Sequence, residues 1–283
     1  MAEPSVSAGA FAAAVLRVRA HLNRPVVVKL GGSAMEAPAA TAACLESVAV
    51  LDALGVPLAL VHGGGKPIDR AMAEAGLTPK KVAGRRYTDD ATLEIVVRVL
   101  KDQINADLVA RLAALGCPAT GVHAALFGER LLLPGLDLQP VDLGRVGSVS
   151  RVELGALGTG VPVIPSLALD VYDGGWLNVN ADTAASAVAG ALGAERAIFL
   201  TDTPGVLRDR ANPDSLIPHL TEAQARDLIA EGVIDGGMVP KVEACFDALA
   251  AGAREALILD GRVPYALLDA FLKDTFRGTA IRR

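Results

Sequence analysis

Hydrophobic residues along this chain follow two rhythms that take turns. The runs 26–30, 57–61, 162–164, 197–200 and 256–259 are apolar with almost no polar alternation, as expected of strands buried on both faces of a parallel sheet. Between them apolar residues recur at helical spacing over 39–54, 67–75, 183–192, 242–251 and 264–272. The longest such stripe, 90–115, carries Leu93, Val96, Val97, Leu100, Ile104, Leu108, Val109 and Leu112, and is read as core or subunit interface. A stripe of Phe11, Val15, Val18 and Leu22, with Ser7 to cap it and Pro25 to stop it, predicts a further helix over 7–23. This helix packs either on its own domain or on another subunit. A hairpin-like stretch surrounds 127–131. Strand, helix, strand in repeated order predicts an α/β protein built as one large unit or two lobes.

Composition narrows the classes of function. With 283 residues, 52% hydrophobic and 21% charged, the chain can bury a large core. A formal charge of −5 argues against nucleic acid as partner, since phosphate neutralisation needs a basic surface. Cys44, Cys117 and Cys245 are scattered, which indicates buried thiols in a reducing cytoplasm and neither a disulfide framework nor a zinc site. No apolar run approaches the ~20 residues that span a bilayer, and Glu3 stands where a signal peptide is basic. The expectation is a soluble cytoplasmic protein.

The chemistry begins where strands run into glycines. Lys29 interrupts the first buried strand just before Gly31-Gly32. It reads as an anion-binding lysine at the carboxyl edge of the sheet, or as a strand-end lysine whose stem snorkels. The second strand ends in His62-Gly63-Gly64-Gly65 ahead of a helix, so bare N–H groups lie at a helix N-terminus. Neither glycine run matches G-x-G-x-x-G or a P-loop. The basic segment from Lys80-Lys81 to Arg85-Arg86 offers a bidentate fork for a carboxylate, or simply a solvated surface. Asn178, Asn180 and Asp182 share one side of the chain if it stays extended, and Asp182 doubles as N-cap of the helix that follows. Another strand closes with Thr201-Asp202-Thr203-Pro204-Gly205-Val206, the pattern of a nucleotide-contacting turn. Finally, Gly236-Gly237-Met238-Val239-Pro240-Lys241 leads into a helix, and Lys241 then lies at the helix's positive end, where a cation is disfavoured unless an anion joins it. Two lysines on separate glycine-flanked elements point to a highly anionic substrate. Phosphoryl transfer fits, because positioning and fixed positive charge supply most of its catalysis. A carboxylate acceptor carries no proton at neutral pH, so no general base is required.

Taken together, Lys29-Leu30-Gly31-Gly32, His62 to Gly65, Asn178 to Asp182, Thr201-Asp202 with Gly205, and Gly237 to Lys241 resemble the amino acid kinase family over almost the whole chain. The pattern is most similar to members that phosphorylate N-acetyl-L-glutamate. The resemblance implies a three-layer sandwich with a central mostly parallel sheet in two lobes. An N-terminal helix (1–24) would precede a lobe for the amino acid and dimerisation (25–192) and a lobe for ATP (193–283). It implies ATP-dependent phosphorylation of the γ-carboxylate of N-acetyl-L-glutamate in arginine biosynthesis. Lys29 and Lys241 would stabilise the transferring group, with Asp182 holding both ammonium groups and Gly32 and Gly64 donating N–H bonds. Gly64, Gly65, Arg86, Asn178 and Asn180 would bind the amino acid, and Thr201, Asp202, Gly205, Val206 and Lys241 the nucleotide. Mg²⁺ would ride on the ATP phosphates without a protein ligand, and the chain would form a homodimer or hexamer, with neither nucleic acid nor membrane as partner.

Two departures bear on substrate. Lys66 replaces the family's usual proline and Arg85 its usual leucine. A basic rim also suits the alternative acceptor, aminoadipate attached to an acidic carrier protein in lysine biosynthesis. A sensor that kept the fold without catalysis is the third reading. In the family an N-terminal helix goes with hexamers inhibited by arginine, but Tyr265, Ala270 and Phe276 stand where that effector site has histidine, glutamate and glycine.

Overall fold

The strand Val26–Leu30 lies inside an eight-stranded sheet, paired in parallel with Leu58–His62 on one side and Arg196–Thr201 on the other. We describe a computed structural model over residues 7–82, 85–134 and 140–283. Beyond Leu58–His62 follow Val161–Pro165 and Ala119–Gly121; beyond Arg196–Thr201 come Glu255–Asp260, Gly278–Arg282 and His219–Thr221. Of the pairings, Glu255–Asp260 with Gly278–Arg282 is antiparallel and the others parallel. The strands contributed after residue 193 therefore fill one half of the sheet and the earlier ones the other half.

Alternation along each strand feeds two cores. Val27, Val61 and Phe199 pack on Val188, Val242 and Leu249 of the helices Ala181–Leu192 and Val239–Ala251. Val28, Leu60 and Ile198 face the other way, onto Leu45, Leu108 and Phe271 of Pro38–Ala53, Ala106–Ala114 and Ala266–Leu272. Helices thus cover both faces, giving three layers, and the unbroken apolar runs of the strands are explained by burial on both sides. Lys29 shares the face of Val27, since side chains two apart in a strand point the same way, and so reaches toward Ala181–Leu192.

Three features differ from the sequence reading. The stripe over 90–115 is helical throughout, but in three pieces: Asp90–Val97, a π-helical Arg98–Asn105, and Ala106–Ala114. Hydrophobic periodicity does not register a local change in residues per turn. A closed four-stranded barrel of Leu126–Arg130, Val146–Val152, Leu167–Asp170 and Trp176–Val179 covers part of the sheet. Only its first strand falls in the predicted hairpin, because strands such as Val146–Val152 mix buried and exposed positions, and a register shift between Phe127 and Gly128 breaks the alternation. The N-terminal helix is shorter than predicted, Ala8–Val18, with Ser7 as its cap. It docks through buried Val18 and an Arg17–Asp274 ion pair at 2.6 Å, yet leaves Phe11 65% and Leu16 62% exposed. Among the described residues no helix is long and apolar enough to cross a membrane.

Candidate active site

Parallel strands deliver their carboxyl ends to one edge, and the glycine runs meet there. Leu30, His62 and Leu200 are in register across three neighbouring strands, so the loops after them lie side by side. A Cβ on Gly31 would come within 2.8 Å of the Leu200 carbonyl oxygen and 3.1 Å of Lys29 Nζ. Only glycine lets the loop turn this tightly over the lysine. Gly64 caps the helix Gly65–Glu74 without a side chain, and a Cβ there would stand 2.7 Å from both Leu100 and Ile104. The loop is pressed against the π-helical segment, and its backbone is left bare toward the cavity.

That cavity, about 280 Å³, is lined by Lys29, Gly32, Gly64, Gly65, Arg86, Asn178, Asn180 and Asp182, so one concavity gathers all the residues expected around the amino acid. Lys29 Nζ lies 2.8 Å from Asp182 Oδ1, with the lysine side chain only 12% exposed. Asp182 is not the N-cap of its helix. Asn180 holds that position, its Oδ1 accepting from the Asp182 and Thr183 amides at 2.8 and 3.1 Å. The chain stops being extended after Asn180, which moves Asp182 into the first helical turn and frees its carboxylate for Lys29. Asn178 Nδ2 donates to Thr88 Oγ1 at 3.1 Å. Arg86 is held by Asp69 at 2.6 Å and by the Gly65 carbonyl at 3.2 Å, contacts that orient its guanidinium.

A second cavity of about 410 Å³ opens beside the turn after Arg196–Thr201, lined by Asp202, Gly205, Val206 and Lys241 together with Arg210, Ile234 and Met238. Lys241 occupies the first turn of Val239–Ala251, a turn without acidic residues. Its ammonium pairs with Asp202 at 2.8 Å, and this hydrogen bond holds the Asp202 carboxyl below the usual carboxylate range. Here the structure corrects the expectation that Asp182 holds both lysines: each lysine has its own carboxylate, since Asp202 heads the turn facing that helix start. Thr201 stands at the start of the same turn. It is buried at the strand end and hydrogen-bonds with Thr203, shaping the turn while Thr203 and Pro204 line the cavity. Arg210, Val233 and Ile234 escaped the sequence reading, having no motif around them. Ser166 and Val146 in the first cavity were missed with the barrel.

Charged rim residues are partly neutralised within the chain. Lys66 pairs with Glu36, which also faces Arg70 at 3.8 Å, and Lys80 lies over the Tyr87 ring. Among the described residues no group of three or more His, Cys, Asp or Glu side chains is arranged to hold a metal ion.

Behind the glycine loop, burial pushes the His62 imidazole down to about 4 from its ordinary 6.5. Between these values the unfolded chain binds a proton that the folded chain refuses, so stability is full above pH 6.5 and declines as pH falls toward 4. At 1.36 kcal/mol per pH unit the loss from His62 is roughly 3 kcal/mol. Urea unfolding at pH 7 and pH 4.5 is expected to show this fall, and a His62→Gln variant to show less of it; equal falls in both proteins would exclude His62 as the cause.

The model of the amino acid kinase family matches residues 24–260. The chain belongs to the amino acid kinase family. Its relatives include the acetylglutamate kinase of Synechococcus sp., 42% identical over 92% of this chain and 86% of that protein. The acetylglutamate kinase of Anaeromyxobacter dehalogenans is 40% identical over 91% of this chain and 99% of that one. Among solved structures, N-acetylglutamate synthase of Neisseria gonorrhoeae, complexed with coenzyme A and N-acetyl-glutamate, superposes with a TM-score of 0.83 at 23% identity, over 99% of this chain and 64% of the synthase. That likeness shows the fold alone. As a member of a kinase family the chain is a phosphotransferase that uses ATP.

Proposed function

We propose that the chain catalyses ATP-dependent phosphorylation of the γ-carboxylate of N-acetyl-L-glutamate, a step of arginine biosynthesis. The observation that carries this reading is the pair of ion-paired lysines, Lys29–Asp182 and Lys241–Asp202, each in a glycine-bounded cavity after adjacent strands. It is supported by the relatives named acetylglutamate kinase. The first cavity takes the acyl amino acid and the second the nucleotide, which corresponds to lobes 25–192 and 193–283.

In the reaction a γ-carboxylate oxygen attacks the γ-phosphorus of ATP, a new O–P bond forms, and the bond to the β-phosphate oxygen breaks to release ADP. The acceptor brings no proton, so the reaction needs no general base. Lys29 and Lys241 draw negative charge from the two ends of the transfer, and the Gly32 and Gly64 amides add dipoles aimed at the equatorial oxygens. Asp182 keeps Lys29 extended and Asp202 steadies Lys241. Arg86, oriented by Asp69, grips the α-carboxylate, while Asn178 and Asn180 orient the rest of the substrate. Asp182 and Asp202 are each paired with a lysine, and Mg²⁺ would arrive on the ATP phosphates, where it would neutralise their charge. Purified chain with ATP should yield ADP only when N-acetyl-L-glutamate is added, with the acyl phosphate trapped as a hydroxamate. Equal or better turnover with carrier-bound aminoadipate would overturn the substrate assignment. The Lys66–Glu36 pair weighs against that carrier, since it removes part of the basic rim.

Exposed Phe11 and Leu16 suit a helix that also contacts another subunit, so a homo-oligomer larger than a dimer is proposed, working in the cytoplasm. Tyr265 donates to Glu46 Oε2 at 2.5 Å, and Ala270 is buried. Neither offers the charge-assisted partner that a guanidinium ligand needs. Inhibition by millimolar arginine is expected to be weak or absent, and a chain beginning at Asn23 is expected to sediment as a smaller species. Strong inhibition, or unchanged sedimentation, would overturn the respective expectation.

A further inference from the structure

A run of buried polar side chains braces the glycine loop after Leu58–His62 from below. His62 is fully buried, and its Nε2 lies 3.1 Å from Asn105 Nδ2. Asn105 Nδ2 is also 2.9 Å from the Val163 carbonyl oxygen, and Asn105 Oδ1 is 3.1 Å from His123 Nε2. A carbonyl oxygen only accepts, so the amide nitrogen of Asn105 must face Val163, and the same nitrogen then donates to His62 Nε2. That leaves the neutral imidazole with its proton on Nδ1, which lies 3.2 Å from the Gly63 carbonyl oxygen, again an obligate acceptor. Both ends of the network demand the same tautomer. Asn105 is carried to this spot by the π-helical Arg98–Asn105, whose Leu100 and Ile104 press on Gly64. Such π segments recur at functional sites because they re-aim side chains.

The consequence runs through one peptide plane. The Gly63–Gly64 peptide bond is trans, so the Gly63 C=O and the Gly64 N–H point in opposite directions. With the carbonyl drawn in to His62, the amide faces out, on the side where Gly63, Gly64 and Gly65 line the cavity. We propose that His62 is a positioning residue: its Nδ1–H holds the Gly63 carbonyl and so turns the Gly64 amide toward the transferring phosphoryl group. The proposal rests on the reading of Gly64 as a phosphoryl donor.

The tautomer is open to direct test in the wild-type chain. Long-range proton–nitrogen correlation spectra at pH 7 should report His62 protonated at Nδ1, and an Nε2-protonated ring would overturn the proposal whatever the activity. In the same sample, ADP, aluminium fluoride and N-acetyl-L-glutamate should move the Gly64 amide proton strongly downfield; an unmoved resonance is the contrary result. Among variants, His62→Asn keeps a donor near the place of Nδ1, whereas His62→Gln puts one near Nε2. Removing a whole oxyanion donor costs about 10²–10³ in kcat, so mis-aiming one by His62→Gln should lower kcat at least ~10-fold with both KM values within about threefold. His62→Asn should keep at least about a third of wild-type kcat. Equal kcat for the two variants would overturn the proposal alone, while a wild-type chain that does not phosphorylate acetylglutamate would overturn the functional reading and this proposal together.

Discussion

Alanine at Lys29 or at Lys241 lowers kcat by at least ~10²-fold, the loss expected when one preorganised charge donor worth roughly 3 kcal/mol to the transition state is removed. The KM values should change much less, because charge on the equatorial and leaving oxygens grows only as the phosphoryl group moves. The two positions differ in their side effects. Lys29 is 12% exposed and its partner Asp182 22%, so Lys29→Ala leaves a half-buried carboxylate without a counter-ion and should lower Tm as well. Asp202 is 49% exposed, and water replaces Lys241 at little cost in stability. Steady-state kinetics and thermal unfolding of both variants separate these effects. Near wild-type turnover in either would remove that lysine from the catalytic set.

Arg86→Lys should raise the KM for N-acetyl-L-glutamate by about 10- to 100-fold and leave that for ATP within about twofold, the cost of a charge-assisted bidentate contact that a point-charge ammonium does not reproduce. The scaffold makes this position sensitive. Asp69 and the Gly65 carbonyl already occupy part of the guanidinium at 2.6 and 3.2 Å, and a lysine cannot satisfy both and still reach a ligand. Asp69→Asn should raise the same KM by a smaller factor, by loosening the orientation of Arg86. Arg70, 65% exposed on the same helix and facing Glu36, serves as the control. An effect of Arg86→Lys confined to ATP would mean that the two cavities have been assigned the wrong way round.

Much of this was legible in the chain itself. Apolar runs without alternation marked the central strands, since burial on both faces leaves no polar side to display, and glycines after them marked the edge where ligands approach. Lys29 and Lys241 stood out because a charge in a buried strand, or a cation at a helix's positive end, needs a partner, and Asp182 because it ends a row of polar residues at alternate positions. The partners themselves were not legible. Asp202 rather than Asp182 meets Lys241, Asn180 rather than Asp182 caps its helix, and His62 finds Asn105 across 43 residues of sequence. The barrel, too, went unread beyond its first strand. Periodicity reports which face of an element is buried, a property of neighbouring residues. Which side chains meet depends on register between strands, on where a chain leaves its extended course, and on the turn count of a helix, and these are settled only when distant segments pack together.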